Sequence, residues 1–558
     1  MMEGLKKRVW KPFSPSSSTT SLWITAPLLI LVGLVVALGS SKASSSWVFV
    51  GSYYPWSWGP LLARDKIPVF PPAANDSSNQ PPSTFPSVLT AENGGGGKIL
   101  AYNSSINSSA SPLDFESQEI QRPDIQKEED LNISSSMPSI ISSSNKTQTP
   151  LPLQLQVTIK RKFRNLERLE ANLGKARAAI RAAVHGTNQT DDPDYVPSGS
   201  VYWNANVFHR SYLEMEKQLK IFVYEEGEPP IFHNGPCKSI YASEGNFISH
   251  METSPFRTTD PEKAHIFFLP FSVTGIVYFL YDSSVPGKRH WFPMKQTVSD
   301  YVNLVARKYP YWNRSLGADH FMLACHDWLE RLLQGPEISK AVPELFKNSI
   351  RALCNANTSE GFKPFKDVSI PEILLPGGTT HGLIGGPSPS HRSILAFFAG
   401  GLHGPIRPIL LEHWENKDND IQVHKYLPKG IKYYEMLRKS KFCICPSGYE
   451  VASPRMVEAL YTGCVPVLIK DHYVAPFSDV LNWKKFSIEI PVEYIPNLKK
   501  ILTEISPRKY IRLQRKVLIA RRHFEVNLPP KRYDVTHMIL HSAWLRRLNI
   551  RLHGIEDT

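Results

Sequence analysis

At 558 residues with a formal net charge of +13, the chain is too long for one hydrophobic core, since single cores seldom grow beyond ~250–300 residues. The basic excess favours acidic partners such as nucleic acid, anionic lipid, nucleotide phosphates or an acidic polysaccharide. Six cysteines, Cys237, Cys325, Cys354, Cys443, Cys445 and Cys464, form no CxxC pair, so their spacing excludes a zinc framework and leaves disulfide pairing open.

Residues 1–21 carry Lys6, Lys7, Arg8 and Lys11 ahead of an uncharged run, Leu22 to Leu38, LWITAPLLILVGLVVAL. Its length is about the minimum for a spanning helix, and the preceding charges keep the short N-terminus cytoplasmic. A type II signal anchor over 22–39 is therefore expected. A cleaved signal peptide is the competing reading, opposed by the length of the run and by the lack of a small-x-small exit in GSSKASSSW. Glycosylation triplets agree with a lumenal remainder: Asn75, Asn103, Asn107, Asn132, Asn145, Asn188, Asn313 and Asn357. All six cysteines fall on the same side, where disulfides form.

Residues 40–195, rich in Ser, Pro and Asn, read as a mostly disordered stem that buries too little apolar surface to offset ordering. Within it, 157–184 is rich in helix formers, with Leu166, Leu169, Leu173, Ile180 and Val184 near helical spacing and a strongly basic opposite face. Such a helix either docks or self-associates through its leucine stripe, or captures an acidic polymer.

Ordered structure is expected from 196. KIFVYE (Lys220 to Glu225) and AHIFFLPF (Ala264 to Phe271) fit short buried parallel strands separated by helical patterns. Pro- and Gly-rich loops around Phe362 to Ser390 suggest a boundary near 388. Over 389–558, SILAFFAG, KFCIC and CVPVLI alternate with helical segments. The expected fold is α/β, two doubly wound domains facing a cleft.

One stretch, CPSGYEVASPRMVEAL (Cys445 to Leu460), leads from a strand through a turn at Gly448 into a helix, with Ser453 as N-cap, Pro454 first in the helix and Gly463 ending it. Arg455 in the first turn opposes the macrodipole unless an anion is shared. Glu458 lies on the same side and suits a pair of neighbouring hydroxyls. By spacing alone the two residues are equally an exposed salt bridge.

The segment FCICPSGYEVASPRMVEALYTGCVPVLIKDHYVAPFSDVLNW, together with FVYEEGEPP, CKSIYASEG, TTDPEKAHIFFLPF, GADHFMLACHDW, KDVSIPEI and ILAFFAGGLHGPIRP in this order, resembles the exostosin family of glycosyltransferases, especially its plant cell-wall members. The resemblance spans roughly Trp203 to Arg546. It implies a GT-B enzyme of the Golgi membrane, single-pass and type II, with two Rossmann-like domains. Such an enzyme transfers a sugar with inversion from a nucleotide sugar, a UDP-sugar, to a pectic or hemicellulosic polysaccharide and requires no metal or other cofactor. Charge tips the acceptor slightly toward pectin.

Carried over residue by residue, Glu458 would hold the ribose and Arg455 the diphosphate. Ser447 and Gly448 belong to the same donor edge, and Gly400, Gly401 and Arg407 to the opposite one. Tyr449 and Glu450 stand where animal members carry basic residues, which weakens phosphate contacts from that turn. An inverting transfer needs a base on the acceptor side, and GADHFMLACHDW offers Asp319, His320, His326 and Asp327. Asp418 and Asp420 form a DxD best read as a solvated loop, and His320, Cys325 and His326 are better placed in a core or cleft than on zinc. Oligomers with itself or other glycosyltransferases fit the stem, and nucleic acid does not fit a lumenal protein. A non-catalytic subunit anchoring an active Golgi partner is the alternative.

Overall fold

The computed structural model describes residues 153–186, 192–282, 284, 291–327 and 342–553. The tail at 1–21, the anchor expected at 22–39, much of the stem and Asn75, Asn103, Asn107, Asn132, Asn145 and Asn188 lie outside the described residues. Among the described residues no helix is long and apolar enough to cross a membrane.

Helix α1 (Leu153–Ala182) covers most of the basic helix expected at 157–184, and it is docked. Leu173, Ala176 and Ile180 are buried. The Arg177 guanidinium donates to the carbonyls of Leu548 (2.7 Å) and Ile550 (2.8 Å), while Glu170 pairs with Arg547. The stripe at helical spacing finds an apolar surface to cover, which offsets the entropy that composition alone could not. Arg164, Arg168, Lys175 and Arg181 lie on its exposed side.

The chain then runs through α2 (Ala205–Gln218), β1 (Ile221–Val223), α3 (Ala242–Glu252), β2 (Arg257–Thr258), β3 (Ile266–Phe268), α4 (Val273–Leu280), α5 (Trp291–Lys308) and α6 (Pro310–Ser315). It continues with β4 (His320–Ala324), α7 (Pro343–Lys347), β5 (Ile350–Leu353) and β6 (Val368–Ser369). These six strands form one sheet, ordered β2-β1-β3-β4-β5-β6, with every pair parallel. Nearly every strand residue is buried, as expected where helices cover both faces.

A second sheet follows, from β7 (Ile394–Ala399), α8 (Ile406–Trp414), β8 (Ile421–His424), α9 (Tyr433–Lys439), β9 (Ser440–Pro446), α10 (Arg455–Thr462), β10 (Val465–Ile469) and β11 (Ile488–Glu489). Its order is β11-β10-β9-β7-β8, again all parallel. The winding reverses between β7 and β9, and the carboxyl ends of strands at such a reversal are where open α/β sheets bind ligands.

After α11 (Leu498–Thr503) and α12 (Pro507–Arg521), the last helix, α13 (Val535–Leu548), returns to the first sheet and packs on β5 and β6. Arg546 donates to the Asp367 carbonyl at 2.8 Å and pairs with Asp479. The closing helix expected to belong with 389–558 therefore covers the N-terminal sheet instead. Two disulfides, Cys325–Cys354 and Cys443–Cys464, tie neighbouring strands, and Cys237 and Cys445 are free thiols.

Candidate active site

The loops after β7 and β9 interlock at the reversal point. Gly400 follows β7, and a Cβ there would sit 2.4 Å from Arg455 Nη2, so the missing side chain lets the guanidinium lie against the strand end. Arg455 Nη2 donates to the Ala399 carbonyl at 3.0 Å, with its guanidinium 5.3 Å from the Phe398 ring centroid. Gly404 adopts φ +69, and a Cβ there would meet the Gly448 carbonyl at 1.9 Å. A Cβ on Gly448 would in turn be 2.9 Å from Arg407 Nη2. Gly401 sits beneath His403.

Two guanidiniums are thus held together at one edge. Arg407 is only 7 % exposed, and its Nε, like that of Arg455, is buried with no hydrogen-bond partner. Burial first, then the charge of Arg455, pushes Arg407 down to about 10, with Glu372 pulling the other way. Neighbouring like charges with buried, unspent donors are stabilised by an anion.

Helix α10 begins one residue later than the sequence suggests. Pro454 is the N-cap without a side-chain bond, and the Ser453 hydroxyl is buried without a partner. The expected capping bond from Ser453 is therefore corrected: its carbonyl accepts the Met456 N–H at 3.3 Å and Pro454 has helical dihedrals, but the Ser453 side chain caps nothing. Gly463 ends the helix at φ 69, in the left-handed region. Glu458 is 3 % exposed, which rules out a surface salt bridge. Its carboxylate accepts from the hydroxyls of Tyr433 (2.8 Å) and Tyr434 (3.3 Å), leaving lone pairs for further donors. Ser447 spends its hydroxyl on the Val451 carbonyl at 2.9 Å, locking the turn rather than facing a ligand. Tyr449 is exposed and meets His403 edge-on, with centroids 5.2 Å apart.

Across from this edge stand the carboxyl ends of β4, β5 and β6. Asp327 accepts from Asn355 Nδ2 at 3.0 Å and from Tyr241. Asn355 Oδ1 accepts the Ala452 N–H at 3.1 Å, so one side chain joins the first-sheet carboxylate to the turn of the second. His326, tilted on Tyr241 at 4.9 Å, is held neutral by burial, which pushes it down to about 4. Glu372, unselected by sequence reasoning, lies just past β6 among Asp327, Arg455, Arg407 and Glu458. Its only sequence signal is a carboxylate in the loop following an apolar strand.

Asp319 and His320 are not brought to this place. They begin β4, whose length of about 13 Å separates them from its other end. Fully buried, Asp319 accepts from Arg314 (2.7 Å), Ser315 (2.5 Å) and His320 Nδ1 (2.9 Å). His320 Nε2 then accepts the Tyr224 hydroxyl at 2.7 Å. Burial opposes ionisation of Asp319, but Arg314 and His320 outweigh it and hold the carboxyl below its usual range. This is a core ion network, not a base. Asp319→Asn is expected to lower stability by about 1–3 kcal/mol by removing the acceptor of Arg314, Ser315 and His320, with kcat of the folded protein unchanged. Urea midpoints alongside kcat check this; unaltered stability with a hundredfold loss of kcat would return Asp319 to catalysis.

Other candidates resolve similarly. Asp418 and Asp420 share Lys499, at 2.7 and 2.9 Å. Cys325 is in a disulfide, and His320 sits at the far end of the strand, which separates the three would-be zinc ligands. Asn313 is exposed on α6. Asn357 is buried and caps a turn by accepting from Ser359 N–H at 3.0 Å, beside a bridge to Tyr473. A glycan on Asn357 would have to displace the packing around this buried side chain, unlike one on Asn313.

Residues 215–505, more than half of the chain, match the family model of the exostosin GT47 domain. The chain belongs to the exostosin GT47 family of glycosyltransferases. It is 54 % identical over 547 residues to a probable glycosyltransferase of Arabidopsis thaliana, covering 98 % of both chains. A second Arabidopsis probable glycosyltransferase is 55 % identical over 69 % of this chain and 82 % of its own. More distantly, a probable beta-1,4-xylosyltransferase of Arabidopsis is 29 % identical, over 53 % of this chain and 74 % of its own. The exostosin match contains β1 to β10 and therefore both edges of the site, including Glu372, Arg407, Arg455 and Glu458.

Proposed function

We propose that the protein is an inverting glycosyltransferase of the Golgi membrane, single-pass and type II, that moves a sugar from a UDP-sugar to a plant cell-wall polysaccharide without a metal. In this reading the two sheets are the halves of a GT-B fold. The observation that carries it is the pair at the reversal between β7 and β9, a buried Arg407 and a half-buried Arg455 whose Nε groups are both buried without partners. Such a pair can neutralise the leaving diphosphate, the task a divalent cation performs elsewhere. Glu458, already holding two hydroxyls, suits the ribose.

A polysaccharide acceptor is supported by Tyr278 and Phe279 on α4, which are 73 % and 61 % exposed. Tyr278 lies near enough to Tyr241 to act on its hydroxyl, so its ring flanks the Asp327 side, with Phe279 next to it in the helix. Aromatic faces suit the apolar faces of sugar rings. Tyr278→Ala with Phe279→Ala is expected to raise KM for the acceptor about tenfold, equivalent to ~1.4 kcal/mol, with UDP affinity unchanged. A KM shift for donor alone would place the rings on the other substrate. The name of the xylosyltransferase relative makes xylan oligosaccharides the first acceptors to try and pectic ones the second.

The test is the full chain in detergent, assayed with UDP-xylose, UDP-glucuronate and other UDP-sugars on these acceptors, before and after chelation. Turnover that survives chelation and yields the inverted anomer is expected. No UDP binding and no turnover with any pair would support the non-catalytic anchoring subunit instead.

A further inference from the structure

Glu372 stands three residues past β6, on the same edge as Asp327 past β4 and Asn355 past β5. Its loop is pinned on both sides: Ser243 Oγ donates to the Pro371 carbonyl at 2.7 Å, and Ile373 bridges Tyr241. Glu372 is 7 % exposed. The charged and titratable groups that act on it are Asp327, Arg455, Arg407 and Glu458, together with the Tyr473 hydroxyl. Its neighbours divide into two kinds. Asp327 is engaged by Tyr241 and Asn355, and Glu458 by Tyr433 and Tyr434. By contrast, Arg407 Nε and the Tyr473 hydroxyl are buried without a partner, and Glu372 is acted on by burial and by charges, with no hydrogen bond among the leading influences from the described residues. Among three carboxylates, it is the one left to exchange a proton.

We propose that Glu372 is the general base of the transfer. This assignment rests on the glycosyltransferase reading above. As the acceptor hydroxyl oxygen bonds to the anomeric carbon, its proton passes to the Glu372 carboxylate. The bond from that carbon to the phosphate oxygen breaks, and its electron pair leaves with the nucleoside diphosphate beside Arg407 and Arg455. Asp327 is a positioning residue, fixed by two hydrogen bonds, whose negative charge raises the proton affinity of Glu372.

Burial and then Asp327 push the Glu372 carboxyl up to about 8, against the pull of Arg455 and Arg407. A base works ionised, so kcat rises as pH rises through that region. Basicity near the working pH is what proton abstraction needs.

The experiment uses the full chain in detergent, UDP as the binding probe, and whichever of UDP-xylose or UDP-glucuronate the wild type turns over. Glu372→Gln is expected to lower kcat about 10²–10⁴-fold, to abolish the rise of kcat between pH 6 and 9, and to leave UDP affinity within about twofold of wild type. Glu372→Asp, which keeps a carboxylate at a longer reach, should slow turnover yet retain the rise, and it carries the test if the glutamine variant does not fold. Wild-type kcat and pH dependence in Glu372→Gln would overturn the assignment. So would loss of UDP affinity in step with kcat, or loss of the rise in a folded Glu372→Asp. Absence of UDP binding and turnover in the wild type would overturn the glycosyltransferase reading itself.

Discussion

Arg455→Ala is expected to reduce kcat/KM roughly 10²–10³-fold, about 3–4 kcal/mol of transition-state stabilisation. The side chain is fixed by the Ala399 carbonyl and the Phe398 ring, so its charge is in place before any substrate arrives. Preorganised charge is worth most where it meets developing negative charge in a dry site. Arg455→Lys should recover only part of the loss, since an ammonium keeps the charge but not the planar fork or the stacking. Gly400→Ala should act on the same function from the strand side, because its Cβ would come within 2.4 Å of Arg455 Nη2. Steady-state kinetics with UDP titration checks all three. Wild-type kcat and UDP affinity in Arg455→Ala would make the residue a core fastening.

Asp367→Asn is expected to cost about 3–5 kcal/mol of stability, the scale for breaking a buried ion pair by removing one partner. Asp367 and Arg351 are both fully buried, joined by bonds of 3.1 Å from Nε and 2.6 Å from Nη2, and Lys366 completes the group. The loss comes from Arg351 and Lys366, which both give up the Asp367 carboxylate. Burial would raise the Asp367 carboxyl, but Lys366 and Arg351 outweigh it and the net displacement is downward from 3.8. A depressed carboxylate contributes stability that is present above its ordinary value and is lost as pH falls below it. Urea midpoints followed from pH 7 to pH 3 should therefore fall more steeply for wild type than for Asp367→Asn. Parallel slopes would mean that the pair ionises alike in the folded and unfolded chains.

Strand-helix alternation was readable because each parallel strand is a short apolar run that stays buried on both faces, as in VPVLI of β10. The strand, turn and helix around Arg455 were readable for the same local reason, down to Gly463 in its left-handed cap. Local rules also over-reached. Ser453 looks like a capping residue, yet its hydroxyl is buried and makes no capping bond.

What depends on periodicity and turn chemistry, the sequence by itself determined: two α/β series, the docking stripe of α1, and an arginine at a helix start where an anion belongs. Only the tertiary structure decided which charged groups meet. Asp319, His320, His326 and Asp327 are neighbours along the chain, but β4 carries the first two into an ion network at one end and the last two toward Arg455 and Arg407 at the other. Glu372 is ordinary in its own segment; its character comes from Asp327, Arg407, Arg455 and Glu458, on loops and helices remote in the chain. Electrostatic environment is a sum over distances in space, and proximity along the chain fixes very few of those distances.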